Sequence, residues 1–284
     1  MEVIISDKKE LDRKVDFFKN KGISKVHVVA DFDKTLTRTF VDGGKVGSII
    51  SILRNEGYLT EDYPQKAKDL FGEYHPIEID VNYDLEQKKK KMREWWDKHL
   101  DLLVKSKLNK SDIANVIKSD NLVFREGVRS FFDLLDEKDI PLVILSANGL
   151  GGDSISMLLE RDGHLYDNME IVSNKLEWDD DGFAIGIKEP IIHVFNKGEI
   201  SIQNFPAFDK IRGKENVILL GDSLGDVDMA EGFDYKEIIK IGFLNEEIDK
   251  NLEEYKKNFD VVITGDGDFS YVNQLMSEIL NWGQ

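Results

Sequence analysis

An open, Rossmann-like α/β sheet, doubly wound with helices on both faces, is the fold this sequence predicts, and three patterns predict it. Short β-branched apolar runs recur along the chain, amphipathic helical patterns separate them, and one long helix-rich stretch interrupts the alternation.

Lys8 to Asn20 carries Leu11, Val15 and Phe18 at helical spacing, and Gly22 closes that helix. Val26-His27-Val28-Val29-Ala30 then reads as a strand buried on both faces, as a parallel sheet requires. Further strands are expected over 141–145, 216–220, 237–241 and 260–263. Phe124, Val128, Phe131, Phe132 and Leu135 share one helix face ahead of the strand at Leu142, and Ile155, Leu158 and Leu159 belong to the helix after it. Leu252 and Tyr255 precede the last strand on a helix, and Val272, Leu275, Met276 and Ile279 form a final one.

Residues 40–121 break the rhythm. They are helix-rich and charged, with the pair Trp95-Trp96, and the expectation is a helical cap inserted into a core of 1–39 and 122–284. Within the cap, Tyr74-His75-Pro76-Ile77-Glu78 reads as a turn, because proline disfavours helix at the residue before it. Gly43-Gly44-Lys45 lacks the upstream glycine of a P-loop and reads as a turn and helix start. Lys175 to Ile187 reads as a hairpin turning at Asp179-Asp180-Asp181-Gly182; the same acidic run fails as a calcium loop, since its twelfth position would be Lys188.

Composition narrows the function. The 284 residues, 41% hydrophobic and 33% charged, have the balance of a soluble globular protein. A formal net charge of -17 repels a polyphosphate strand, so no nucleic acid polymer is expected as a partner, while a small phosphate ester still fits a pocket whose local cations invert the field. The absence of cysteine removes disulfides, thiolate zinc sites and cysteine nucleophiles. Met1 to Asp7 becomes charged too early for a secretory segment and no apolar run spans a bilayer, so the expected place is the cytoplasm, away from membranes, as a monomer.

The chemistry gathers at strand ends. Asp31-Phe32-Asp33-Lys34-Thr35-Leu36-Thr37 follows the first buried strand, where an α/β sheet offers its ligand crevice. Carboxylates at i and i+2 of an extended segment face one side. One can take a phosphoryl group as an acyl phosphate while the other handles protons. Alone, such a pair reads as a turn or cap. Here a later strand ends in Gly221-Asp222-Ser223-Leu224-Gly225-Asp226, whose Asp222 and Asp226 could complete a Mg²⁺ site with Asp31, and another ends in Ser146-Ala147-Asn148, which offers a hydroxyl and a backbone N–H to phosphate.

This set resembles the haloacid dehalogenase-like superfamily, with DxDxT, a strand-end Ser, a Lys and GDxxxD. More narrowly it resembles the cytosolic 5′-nucleotidase III (pyrimidine 5′-nucleotidase) family, through Tyr74 to Glu78, Glu94-Trp95-Trp96, His193-Val194-Phe195-Asn196-Lys197 and Ile241-Gly242-Phe243-Leu244-Asn245. The resemblance implies a Mg²⁺-dependent 5′-nucleotidase acting on pyrimidine nucleoside monophosphates or 7-methylguanosine monophosphate, with transfer to a nucleoside hydroxyl as a side activity. It implies Asp31 as nucleophile and Asp33 as acid–base. Asp31, the Asp33 carbonyl and Asp222 are implied as metal ligands, with Asp226 in support. Ser146, Ala147 and Lys197 are implied on the phosphate, Glu78 on the base, and Trp95 around it. His99 aligns near a position that touches substrate. The family usually reads Ser-Ala-Gly after the second motif, whereas here Asn148 intervenes, so that loop is expected to be reshaped.

Lys175 and Lys188 share the interval that holds Lys197 and read as solvated lysines. The histidines at 27, 75, 99, 164 and 193 form no i, i+4 pair, and His27, inside a strand, reads as a satisfied core residue. Of Trp95 and Trp96, adjacent on a helix, one is expected in the core and one toward the cleft. Two rival readings remain: a phosphatase for another small metabolite, such as phosphoserine or a sugar phosphate, and a catalytically silent, metal-binding interaction protein.

Overall fold

The structure, a computed structural model, describes residues 2–80, 82–198, 207–231 and 234–280. Its main sheet has seven strands in the order β1-β11-β10-β9-β2-β5-β6. These are β1 (Val3–Ile5), β2 (Val26–Ala30), β5 (Leu142–Ser146), β6 (Met169–Ser173), β9 (Asn216–Gly221), β10 (Glu237–Leu244) and β11 (Val261–Thr264). Only the edge strand β1 runs antiparallel; the others pair parallel. The two-faced strand pattern has its expected consequence. Val28 and Ala30 point into one apolar cluster with α1 (Lys8–Lys21), α6 (Val128–Glu137), α7 (Gly151–Asp162) and α10 (Ser270–Leu280), while Val29 points into a second with α8 (Ala207–Ile211) and α9 (Ile248–Asn258).

From β2 the chain builds β5 and β6 to one side, then crosses back to add β9, β10 and β11 on the other. The strand order therefore reverses at β2, the position at which open α/β sheets leave a crevice beyond their C-terminal ends. Asp31, Ser146 and Asp222 stand at the ends of the neighbours β2, β5 and β9.

Between β2 and β5 lie α2 (Ile49–Asn55), α3 (Tyr63–Ile79), α4 (Leu85–Lys105) and α5 (Lys110–Val116). Their buried side chains, among them Ile52, Leu53, Tyr63, Leu103 and Ile113, join the larger apolar cluster of the sheet. The hairpin β7 (Lys175–Trp178) and β8 (Ala184–Lys188) forms as expected.

Three local expectations fail for identifiable reasons. Tyr74 to Glu78 is helix, with Pro76 inside α3. The proline falls in the last turn, so it forfeits one bond back to Gly72 near the helix end rather than mid-helix, and Tyr74 anchors that turn by donating its hydroxyl to Glu94 of α4 at 2.6 Å. Phe124 is not on a helix; it bridges Thr37, and α6 starts only after Gly127, whose φ of 84° breaks the helical path. Phe124 still packs edge-on against Phe132, with ring centroids 5.7 Å apart, which explains the shared apolar spacing. Gly43 turns the chain as expected, but no helix starts there, since α2 begins only at Ile49. With Asp42 at φ 49° and Gly43 at 76°, the two residues turn a short hairpin between β3 (Phe40–Val41) and β4 (Gly44–Lys45).

Candidate active site

Asp31 follows the last residue of β2, and its N–H donates to Leu220 O of β9 at 2.9 Å, which fixes it beside the Gly221–Asp226 turn. Gly221 permits that turn. A Cβ there would lie 2.5 Å from the Asp226 Cβ, so only glycine lets Asp226 fold back onto its own strand. Asp226 uses Oδ2 to accept from the N–H groups of Asp222 (3.1 Å) and Ser223 (3.0 Å) and from the Ser223 hydroxyl (2.9 Å). Its Oδ1 faces Lys197 Nζ at 2.9 Å. Lys197, buried, also pairs with Asp31 Oδ1, and the Thr35 hydroxyl donates to Asp31 Oδ2 at 3.2 Å. Carboxylate oxygens of Asp31, Asp222 and Asp226 lie within 4.8 Å of one another.

The electrostatics follow from burial. Loss of water pushes the Asp31 carboxyl up to about 7 against the pull of Lys197, with the Asp226 charge adding to the rise. Burial likewise raises Asp33, opposed by the Ile49 N–H bond. Asp222 is raised by burial and then by the Asp31 and Asp226 charges. For Lys197 the two carboxylates outweigh burial, so it stays protonated. A cluster of carboxylates that resists ionising together is one that an added cation would relieve. Its donors are all oxygen, which suits a hard divalent ion.

Asp33 is not part of the acidic trio. Its Oδ1 accepts from the Ile49 N–H, the first residue of α2, at 3.1 Å, and its Oδ2 lies 3.4 Å from Asn148 Nδ2. Ser146 is buried at the end of β5 and Ala147 follows it, half-buried. Lys175 and Lys188 sit opposite each other on the β7–β8 hairpin, not among the carboxylates.

The remaining expected residues lie on the inserted helices. Glu78 Oε2 accepts from His75 Nδ1–H at 2.9 Å, and His75 stacks on Phe71 at 4.4 Å. Trp95 stacks on Tyr74 (5.8 Å, 10°) and meets Phe71 edge-on, whereas Trp96 packs against the main core and His99. These contacts group Glu78 and Trp95 on the α3–α4 pair. His99 reaches the sheet side: a Cβ placed on Gly149 would come within 3.1 Å of its Nε2. Burial, then the Arg54 charge, pulls His99 down to about 4, so it is neutral.

One group escaped sequence reasoning. Buried Arg125 donates Nε–H to Thr35 O (2.9 Å) and Nη1–H to Gly267 O (2.6 Å), and its Nη2 reaches Lys34 O and Asn245 Oδ1 (2.7 Å). Asp266 pairs with it at 3.1 Å and accepts from Thr39 N–H (2.8 Å). Together they collect the carbonyls behind the Asp31–Thr37 loop, in which Lys34 takes φ 62°. Gly265-Asp266-Gly267 repeats, after β11, the strand-end Gly-Asp pattern of Gly221-Asp222, a signal that could have found Asp266 but not Arg125.

A sheet of this order, with carboxylates and a lysine at its switch point, is the fold of the haloacid dehalogenase-like phosphatases. A substrate-bound phosphoserine phosphatase shares that fold at a TM-score of 0.54 with 17% identity, covering 88% of this chain and 96% of its own. The chain belongs to the pyrimidine 5′-nucleotidase (UMPH-1) family, whose model matches residues 34–280. It is 38% identical over 263 residues to the human 7-methylguanosine phosphate-specific 5′-nucleotidase (92% of this chain, 87% of that protein). It is 36% identical to the chicken enzyme of that name (92% and 90%). A crystal structure of cytosolic 5′-nucleotidase IIIB bound to cytidine superposes with a TM-score of 0.89 at 31% identity, covering 98% of this chain and 93% of that one. By class the chain is thus a 5′-nucleotidase.

Proposed function

We propose that this enzyme hydrolyses nucleoside 5′-monophosphates to nucleoside and phosphate with Mg²⁺, through a phosphoryl group carried on Asp31. The observation that carries the reading is the convergence of Asp31, Asp222, Asp226 and Lys197 at one strand edge. Asp31, Asp222, Asp226 and the Asp33 main-chain carbonyl would hold the ion. When bound, Mg²⁺ neutralises phosphate charge.

An Asp31 oxygen attacks phosphorus as the bond to the ester oxygen breaks, and Asp33 gives that oxygen its proton. Burial raises Asp33 above the usual carboxylate range, which is the direction a general acid needs. Asp33, now ionised, then takes a proton from the water that attacks the acyl phosphate, which frees phosphate and restores both carboxyls. Lys197, the Ser146 hydroxyl and the Ala147 N–H hold the phosphate oxygens.

Residues 40–121 serve as the cap in this reading. Glu78 hydrogen-bonds the base, and Trp95 and His99 enclose it; base–aromatic stacking contributes about 1–3 kcal/mol. The human relative's name and the cytidine in the neighbour make 7-methyl-GMP, CMP and UMP the substrates to try first. A cytoplasmic setting is supported by the neighbour's description as cytosolic, and no described helix is long and apolar enough to cross a membrane.

The test is phosphate release from CMP, UMP, 7-methyl-GMP and AMP with and without Mg²⁺. D31N is expected to abolish release while keeping its circular dichroism spectrum; substantial residual turnover in D31N would sink the mechanism. Glu78→Ala should lower activity on nucleotides more than on an aryl phosphate, and an equal drop on both would favour a different small-metabolite substrate.

A further inference from the structure

Asp33 is gripped from two sides, by the Ile49 N–H on Oδ1 and by Asn148 Nδ2 beside Oδ2. Asn148 is buried, 1% exposed. Its Oδ1 accepts from the Leu150 N–H at 2.7 Å, and because an amide is planar, fixing Oδ1 also fixes where Nδ2 points. Its backbone carbonyl accepts from Gly151 N–H at 3.2 Å and lies 3.4 Å from Asn174 Nδ2. Asn174 is in turn anchored to both polar groups of the Ile192 backbone, at 2.8 and 3.0 Å. A rigid chain of amides therefore ends at the one Asp33 oxygen that the α2 backbone does not hold.

The geometry points to Asn148 as a positioning residue that orients the Asp33 carboxyl toward the leaving oxygen. This rests on the reading of Asp33 as the acid–base above. In that step the Asp33 proton passes to the ester oxygen while the P–O ester bond breaks and the Asp31–P bond forms. A separation of 3.4 Å is long for a strong hydrogen bond, so its effect is on direction more than on stability.

Leaving-group dependence tests it. A nucleoside departs as an alkoxide that needs a proton, whereas p-nitrophenolate hardly does. The ratio kcat/KM covers the steps up to departure, which isolates the proton delivery from the later hydrolysis of the acyl phosphate. N148A is expected to lower kcat/KM for CMP about tenfold, part of the roughly 10²–10⁴-fold that a positioned general acid supplies, and to leave p-nitrophenyl phosphate within about twofold. N148D retains an oxygen for the Leu150 N–H but loses the donor, so it should show the same selectivity in a protein that folds. D33N sets the full size of the effect. Equal losses on the two substrates, or none on either, in both Asn148 variants would overturn the inference. A wild-type enzyme that releases no phosphate from CMP with Mg²⁺ would instead remove the assignment of Asp33, and this inference with it.

Discussion

Lys197 lies where a lysine rarely does, buried between two carboxylates, with side-chain exposures of 7% for Lys197, 5% for Asp31 and 0% for Asp226. Removing its charge would leave Asp31 and Asp226 facing each other undiluted. K197M is expected to lose about 3–5 kcal/mol in urea unfolding without metal, the usual result of breaking a buried pair, and to regain part of it when Mg²⁺ is added. His27 offers a pH test. Burial pulls it down to about 4 while Nδ1 contacts Lys214 O at 2.8 Å, so the folded chain keeps it neutral. The unfolded chain binds a proton near 6.5, so this stabilising term is present above about 6.5 and is lost as pH falls toward 4. The stability gap between wild type and His27→Gln should therefore shift against wild type by up to about 3 kcal/mol between pH 7 and pH 4, as read by denaturant titration at each pH. At this scale the carboxylates were legible because three separate strands end in polar residues that can meet at one place, whereas one acidic pair alone would have read as a turn or cap. Arg125 was not, since nothing in a sequence says that an isolated arginine will turn inward to bind carbonyls.

The strand–turn units carry the site, and each depends on a tight return. Gly221→Ala would place a methyl 2.5 Å from the Asp226 Cβ. The turn must then open, so we expect a stability loss of about 1–3 kcal/mol and weaker Mg²⁺ activation, measured as the metal concentration that gives half-maximal phosphate release. The buried strands were legible from apolar runs, and β2 spans the expected residues. Two strands of the main sheet were not. β1 is a three-residue, half-buried edge, and β6 is interrupted by Glu170, so neither shows the continuous run of a central strand. The turn expected around Pro76 failed because tertiary packing on α4 outweighs local preference.

Over the whole molecule, a net charge of -17 sets a field that opposes an anionic substrate until it enters the pocket. Raising KCl from about 20 to 200 mM shortens the Debye length from roughly 20 Å to under 10 Å. At saturating Mg²⁺, KM for CMP should therefore fall while kcat stays level; a KM that rises with salt would show that local cations govern the approach.

The Asp33 side chain is held by the N–H of Ile49, the first residue of the first inserted helix. On the proposed role of Asp33, the helices after β2 are thus tied into the proton-transfer step. Exchanging this insertion for one from a relative would recalibrate turnover along with selectivity, and a chimera would have to rebuild that single amide contact before its new specificity could be read at full speed.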